Sequence, residues 1–327
     1  MTESDNIFKQ KKIVLIGGGT GSSVFLRTLK KYTENITAIV AVSDDGGSSG
    51  FMRSNFGIVA PGDIRNCIVA LSEDESVLAS LLDIRFTESI FKTQSFGNIM
   101  LAAMNKVTSN FPLAVKLVSD VLKIKGQVLP VTTDNVVLEA ETDRGKVIRG
   151  ESKIPRYCER TNSKIKKIHL VPSYAKLYAE CSKAIEQADI ILLCPGSLYT
   201  SLIPNILVNG MSEALSRSKA NKYWIMNIMT QKGETVGYTL SDHVKTLEAH
   251  TDRKIVDTII YNSGEIPTDI LNRYKKENSV PIRNNFDDNV LGKYTVYGVN
   301  AVSIENNKIR HNSDAVWEFL AEQLKRS

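Results

Sequence analysis

The chain is predicted to form a doubly wound α/β fold on a mostly parallel sheet, on three observations. Short β-branched runs alternate with helical stretches near both ends of the chain, and glycine-rich turns directly follow several of those runs. At the start, strand, glycine turn, helix and strand fall within about 30 residues, the length of a βαβ unit with its right-handed crossover.

The first strand signal is 12–16, followed by glycines and a helical stretch at 22–31 whose inward positions are Val24, Leu26 and Leu29. A second strand over 36–42 completes the unit. The middle reads as helical over 63–71, 76–82, 97–107 and 112–123. A hairpin then turns at Thr142-Asp-Arg-Gly145, between strands 136–141 and 146–149. Alternation resumes with strand 165–171, helix 175–187 and strand 189–194. It continues with helix 204–217, strand 222–228, helix 241–250, strand 257–262, helix 268–276 and a final helix 313–325. The expected organisation is one domain over 1–327. It has a nucleotide-binding half at about 10–110, a helical and hairpin excursion at about 111–160, and a second α/β half at about 161–327.

Composition narrows the function classes. The 327 residues hold 41 Lys+Arg against 36 Asp+Glu, a formal +5, and are 42% apolar before the 20 glycines are added, which excludes a disordered or fibrous chain. The aliphatic run at 190–193 is far short of the roughly 20 residues of a membrane helix. The start, Met1 to Asp5, is acidic with no apolar segment behind it, so a cytoplasmic location without a membrane partner is expected. Cys67, Cys158, Cys181 and Cys194 form no Cys-x-x-Cys pair, and His169, His243, His250 and His311 lack i,i+4 spacing, which argues against a disulfide framework or a zinc site. The basic clusters at 9–12, 164–167 and 275–276 have no interleaved aromatics and read as solvated surface rather than a nucleic-acid footprint.

In open parallel sheets, ligands bind beyond the carboxyl ends of the strands, and four polar segments fall at such places. Gly17, Gly18, Gly19, Thr20, Gly21 and Ser22 follow the first strand, where glycines let backbone N–H groups approach a phosphate at a helix N-terminus. Gly17-x-Gly19 fits a dinucleotide fingerprint, but the third glycine is replaced by Ser22, and no Walker loop is present. Asp44, Asp45, Gly46, Gly47, Ser48 and Ser49 leave the second strand. They offer a carboxylate for a ribose hydroxyl, a second anion nest, or a magnesium ligand at Asp45 beside a diphosphate.

Pro61-Gly-Asp-Ile-Arg-Asn66 presents Asp63 as a helix cap or ligand group, with Arg65 and Asn66 free to reach a phosphate. Ser95-Phe-Gly-Asn98 opens another helix in the same way and adds Asn98. In Pro195-Gly-Ser-Leu-Tyr-Thr-Ser201, the N–H of Gly196 and the hydroxyls of Ser197, Thr200 and Ser201 suit a phosphate, while Tyr199 is placed to stack on a ring. Asn227 to Thr230 forms a lip of the same crevice. No histidine lies in these loops, which disfavours a His-dependent dehydrogenase. Asp44 and Asp45 are the candidate catalytic carboxylates.

With Met229-Thr-Gln-Lys-Gly-Glu-Thr235, these motifs occur in order over most of the chain. Together they resemble the YvcK family of bacterial gluconeogenesis factors, within the CofD-like superfamily. The resemblance implies a Rossmann-like fold with a helical and hairpin insertion, and binding of a UDP-sugar such as UDP-N-acetylglucosamine or an NAD-like dinucleotide. It also implies a regulatory protein needed for cell shape and wall synthesis on gluconeogenic carbon sources, acting through a partner protein, with self-association in view. Tyr274 and Arg310 resemble positions that contact the UDP-sugar, with Arg310 facing the diphosphate. Gln94 stands where family members commonly carry a histidine, which favours binding over proton transfer. The alternative is a magnesium-dependent transferase of a phospho-lactyl-like group from a nucleotide-diphospho donor, as in 2-phospho-L-lactate transferases.

Overall fold

Seven parallel strands order the molecule, and the computed structural model describes residues 7–73, 77–88 and 91–326. β1 (Ile13–Gly17) leads through α1 (Gly19–Leu29) to β2 (Ile36–Val40). Helices α2 (Gly47–Phe56), α3 (Gly62–Leu71), α4 (Val77–Asp83), α5 (Phe96–Thr108) and α6 (Phe111–Val121) precede β3 (Gln127–Pro130). β4 (Val137–Thr142), β5 (Val147–Arg149), a 3-10 turn (Glu151–Lys153), α7 (Ile154–Thr161) and β6 (Ile165–Val171) form the excursion. The second half runs α8 (Ala179–Gln187), β7 (Ile190–Leu193), a π turn (Leu198–Leu202), α9 (Ile203–Ile206), α10 (Met211–Arg217), β8 (Asn221–Ile225) and α11 (Leu240–Glu248). It ends with β9 (Thr258–Asn262), α12 (Thr268–Lys276), α13 (Asp288–Lys293), β10 (Thr295–Val299), the hairpin β11 (Val302–Glu305) and β12 (Lys308–His311), and α14 (Ser313–Arg326).

The strand order is β10-β9-β8-β7-β1-β2-β3, a Rossmann-like arrangement in which the chain winds outward in both directions from β1 and β7. Ile16 is level with Ile39 on one side and Leu193 on the other. All five residues of β1 are buried, as a strand covered on both faces requires, which is why its sequence is a continuous apolar run rather than an alternation. Phe25, Leu26 and Leu29 of α1 have no exposed surface, and each contributes roughly 1.5–3 kcal/mol by leaving water. α6 starts where it does because Asn110 Oδ1 accepts the Leu113 amide at 3.0 Å and Pro112 occupies the first turn. Among the described residues no helix is long and apolar enough to cross a membrane.

Several expectations need correction. Residues 47–56 form a helix, although two of its first four residues are glycine: Ser48, Ser49, Met52 and Arg53 bury one face, and tertiary contact outweighs poor propensity. β6 is not part of the central sheet. It pairs antiparallel with β4 in a separate sheet ordered β5-β4-β6, so the excursion extends to about residue 171. The helix expected over 204–217 is broken by a turn in which Gly210 adopts φ 97°. The helix expected over 76–82 begins at a residue outside those described, and Val77–Asp83 is helical.

Candidate functional site

The topology reverses between β1 and β7, and the loops leaving their carboxyl ends pack against each other there. A Cβ on Gly21 would stand 1.7 Å from the Pro195 carbonyl oxygen, and one on Gly18 would stand 3.0 Å from both Ser201 Cβ and Asp63 Oδ2. The glycines thus let the β1 turn meet the Pro195 backbone at Gly21 and the side chains of Asp63 and Ser201 at Gly18. Asn205 reinforces the contact by donating Nδ2 to Ser201 O at 2.8 Å and to Gly17 O at 3.3 Å. The resulting crevice, of about 640 Å³, is lined by Gly18–Gly21 and Asp63 on one wall and by Gly196, Ser197, Thr200 and Ser201 on the other.

The far lip comes from the second half. Asn227 clamps the Gly196 peptide, accepting its N–H at 2.9 Å and donating to its carbonyl at 2.6 Å. Thr230 Oγ1 accepts the Val280 amide at 2.9 Å. Both residues therefore hold the loops in place as much as they line the crevice. Tyr274 Oη accepts the Ile309 amide at 3.0 Å and so sets the β11–β12 hairpin against α12, over a small apolar cluster of Ile228, Ile270 and Ile309. Arg310, next on that hairpin, is exposed at the crevice, and its Nη1 donates to the Ile309 carbonyl at 3.3 Å. Burial pulls the neighbouring His311 imidazole down to about 4, so it is neutral at physiological pH, with Nε2 donating to Met226 O at 3.0 Å.

The inner end is acidic. Burial pushes the Asp63 carboxyl up to about 6; the Gly19 amide hydrogen-bonds it and opposes the shift, while Asp44 reinforces it. Burial, with Asp44 next, pushes Glu151 up to about 8. Glu234 is also raised by burial, opposed by hydrogen bonds from Ser197, the Tyr199 amide and Thr200. Neither Glu151 nor Glu234 was expected from the sequence. Glu234 lies within the quoted Thr-Gln-Lys-Gly-Glu-Thr motif, but Glu151 belongs to the excursion and carries no local signal. Lys232, also at the lip, was missed too; it pairs with Glu159 at 2.9 Å.

Other expected residues lie elsewhere. Tyr199 does not face the crevice: it is 2% exposed, and its hydroxyl meets Tyr238 Oη at 2.7 Å, so it cannot stack on a base. Arg65 is buried and turned towards α4, donating to Leu82 O at 3.1 Å, Asp83 Oδ1 at 3.0 Å and Asn66 Oδ1 at 2.5 Å, which leaves no fork for a phosphate. Ser48 and Asn98 form an internal knot joining α2 to α5. Ser48 Oγ donates to Gln94 Oε1 at 3.0 Å and accepts from Asn98 Nδ2 at 3.1 Å. Ser22 is buried under the first turn.

Asp44, Asp45, Gly46, Gly47 and Ser49 adjoin the crevice without lining it. Asp44 Oδ1 accepts the Gly46 amide at 2.8 Å, Ser49 Oγ packs on Gly62, and Asp45 Oδ1 accepts the Ser152 amide at 2.8 Å. Asp45 therefore fastens the excursion, and among the described residues no group of three or more His, Cys, Asp or Glu is arranged to hold a metal ion. Arg53, which the sequence did not single out, anchors this loop by donating to Asp44 O at 3.2 Å and Asn135 Oδ1 at 2.8 Å.

The family model described as 2-phospho-L-lactate transferase CofD matches residues 13–302. A Thermoanaerobacterium thermosulfurigenes protein is 49% identical over 94% of this chain and 95% of its own. The gluconeogenesis factor of Bacillus subtilis is 42% identical over 97% of this chain and 99% of its own. The chain belongs to the gluconeogenesis-factor (YvcK) family of the CofD-like superfamily. A crystal structure of a UPF0052-family protein from Bacillus halodurans superposes with a TM-score of 0.90 at 40% identity, covering 95% of this chain and 99% of that one. The crevice at the strand reversal, where most of the glycine and hydroxyl residues singled out from the sequence meet, is the candidate site. A larger groove of about 860 Å³, lined by residues within 176–186 and 209–219, contains none of the residues singled out from the sequence.

Proposed function

We propose that this gluconeogenesis-factor family member is a cytoplasmic regulatory protein that binds a nucleotide-diphospho-sugar, with UDP-N-acetylglucosamine as the leading occupant and an NAD-like dinucleotide as competitor. The observation that carries the reading is the meeting of two N–H-rich turns with Arg310 and Lys232 at one crevice. Backbone N–H groups at the start of α1 favour negative charge, and Arg310 supplies formal positive charge for a diphosphate, with Lys232, paired with Glu159, beside it. The carboxyls at the inner end suit the opposite requirement, because they accept hydrogen bonds from ribose or sugar hydroxyls. A volume of about 640 Å³ falls within the usual range of a small-molecule site. Occupancy would be read by a partner protein of wall-precursor synthesis, in keeping with a role in cell shape on gluconeogenic carbon. Titration calorimetry with UDP-N-acetylglucosamine tests the reading: saturable heat supports it, and no binding at millimolar ligand overturns it.

A second reading is a nucleotide-diphospho-dependent transferase, favoured by the raised carboxyls of Glu151 and Glu234 beside the hydroxyls of Ser197 and Thr200. Turnover of a nucleotide-diphospho donor that disappears in Glu234→Gln would support it. No turnover with any donor would count against it.

A further inference from the structure

The turn after β7 reads in sequence as a phosphate holder, yet it already holds an anion of the chain's own. Ser197 Oγ donates to Glu234 Oε2, and the Tyr199 amide donates to the same carboxyl. Thr200 Oγ1 donates to Ser197 Oγ at 2.7 Å and approaches Glu234 Oε1 at 3.4 Å. Ser197 and Thr200, expected to hold a phosphate, are thus spent on Glu234. Both of its oxygens face donors, the arrangement that suits an ionised carboxylate. Burial opposes that charge, and the hydrogen bonds from the turn favour it. The loop that carries Glu234 is fixed on both sides. Thr235 has no exposed surface, and its Oγ1 accepts the Gln231 amide at 2.9 Å. Gly233 adopts φ 74° and lies so close to α7 that a Cβ there would stand 2.2 Å from Pro155 O. Glu234 therefore lines the crevice at a set position.

We propose that Glu234 is a specificity-determining residue: its carboxylate takes the place of a phosphate on the β7 turn, so this wall of the crevice rejects a terminal phosphate and accepts a diphosphate only when an uncharged, hydroxyl-bearing group caps its far end. A phosphate brought to this wall meets a fixed negative charge and hydroxyls whose protons are already committed. A sugar brought to the same wall offers hydrogens, and carboxyl oxygens accept them. Asp63 and Glu151 line the same end and add further acceptors. The cations do not offset the charge there. Lys232 is paired with Glu159 at 2.9 Å, and Arg310 stands on the hairpin lip. The ligand is therefore oriented, with its diphosphate between the β1 turn and Arg310 and its sugar towards Glu234. A free nucleoside di- or triphosphate would have to set its extra charge against the carboxylate.

This inference rests on the binding reading above and deepens it. The test is calorimetry with UDP-N-acetylglucosamine, UDP and UTP, without divalent cations, since the terminal phosphates of UDP and UTP add negative charge to one common nucleoside. The wild type should bind UDP-N-acetylglucosamine tightest and UTP weakest. In Glu234→Gln that spread should shrink by about tenfold for each added ligand charge, the scale of a charge pair across a part-buried site. Glu234→Asp, which keeps the charge but shortens the reach to the turn, should lose affinity for all three ligands and retain their order. A merely structural role for Glu234 would change the three affinities in parallel in Glu234→Gln, and that result would overturn the proposal. So would a wild type that prefers UDP or UTP to the sugar nucleotide, which decides the matter even if Glu234→Gln does not fold and leaves the binding reading standing. A wild type that binds none of the three would sink the binding reading and this inference with it.

Discussion

The close approach of the turns after β1 and β7 makes a sharp demand on Gly21. An added Cβ would lie 1.7 Å from the Pro195 carbonyl oxygen and 2.8 Å from its carbon, and both atoms are backbone. An ordinary carbon–oxygen contact needs roughly twice that distance, so one wall must move by about 1.5 Å or the backbone must strain, a disruption on the order of 3 kcal/mol. Ala is intrinsically better than Gly inside a helix by about 1 kcal/mol, which leaves Gly21→Ala destabilised by about 2 kcal/mol. Gly292 in α13 provides the control, since nothing lies within 4 Å of its added Cβ. There the same substitution should stabilise by about 0.5–1 kcal/mol. Urea unfolding with unchanged m-values measures both effects. A Gly21→Ala protein as stable as the wild type would refute the backbone contact between the walls.

Other consequences concern individual side chains. Arg310→Ala should weaken UDP-sugar binding by about 1–3 kcal/mol in calorimetry while leaving the melting temperature nearly unchanged, because the residue is exposed on its hairpin. Tyr199→Phe should cost about 1 kcal/mol of stability through the lost bond to Tyr238 and leave ligand affinity within about twofold; a large affinity loss would put the ring back in the site. His311 is neutral when folded, near 4, against 6.5 when unfolded, so acid favours the unfolded state. Stability should be intact above about pH 6.5 and should fall by about 3 kcal/mol by pH 4 on account of this residue. His311→Gln should flatten that part of the pH–stability curve.

What could be read from the sequence was local. At β1 a short aliphatic run is followed by glycines and at β7 by Pro195-Gly196, so strand and turn are encoded within a few residues. The α2 helix was hidden because Gly47-Ser-Ser-Gly50 reads as a loop until the knot of Ser48, Gln94 and Asn98 supplies the contacts that hold it. Tyr199 reads as a stacking residue because its loop is rich in hydroxyls after a strand, but the turn at 198–202 swings it into the core beside Tyr238. β6 has the pattern of any short strand, and only its antiparallel partner β4 decides which sheet it joins. Glu151 is a single acid in a distant excursion; its role depends on Asp45 fastening the Gly150–Ser152 turn to the crevice, a contact between residues 107 apart in sequence.

The central claim is that the turns after β1 and β7, together with the β11–β12 hairpin, cradle one anionic ligand. A crystal structure of the complex with UDP-N-acetylglucosamine tests it most directly. The diphosphate should lie against the amides of Gly18–Gly21 and Gly196–Ser197, within reach of Arg310. Ligand density confined to the groove beside α8 and α10, with the strand-reversal crevice filled only by water, would contradict it.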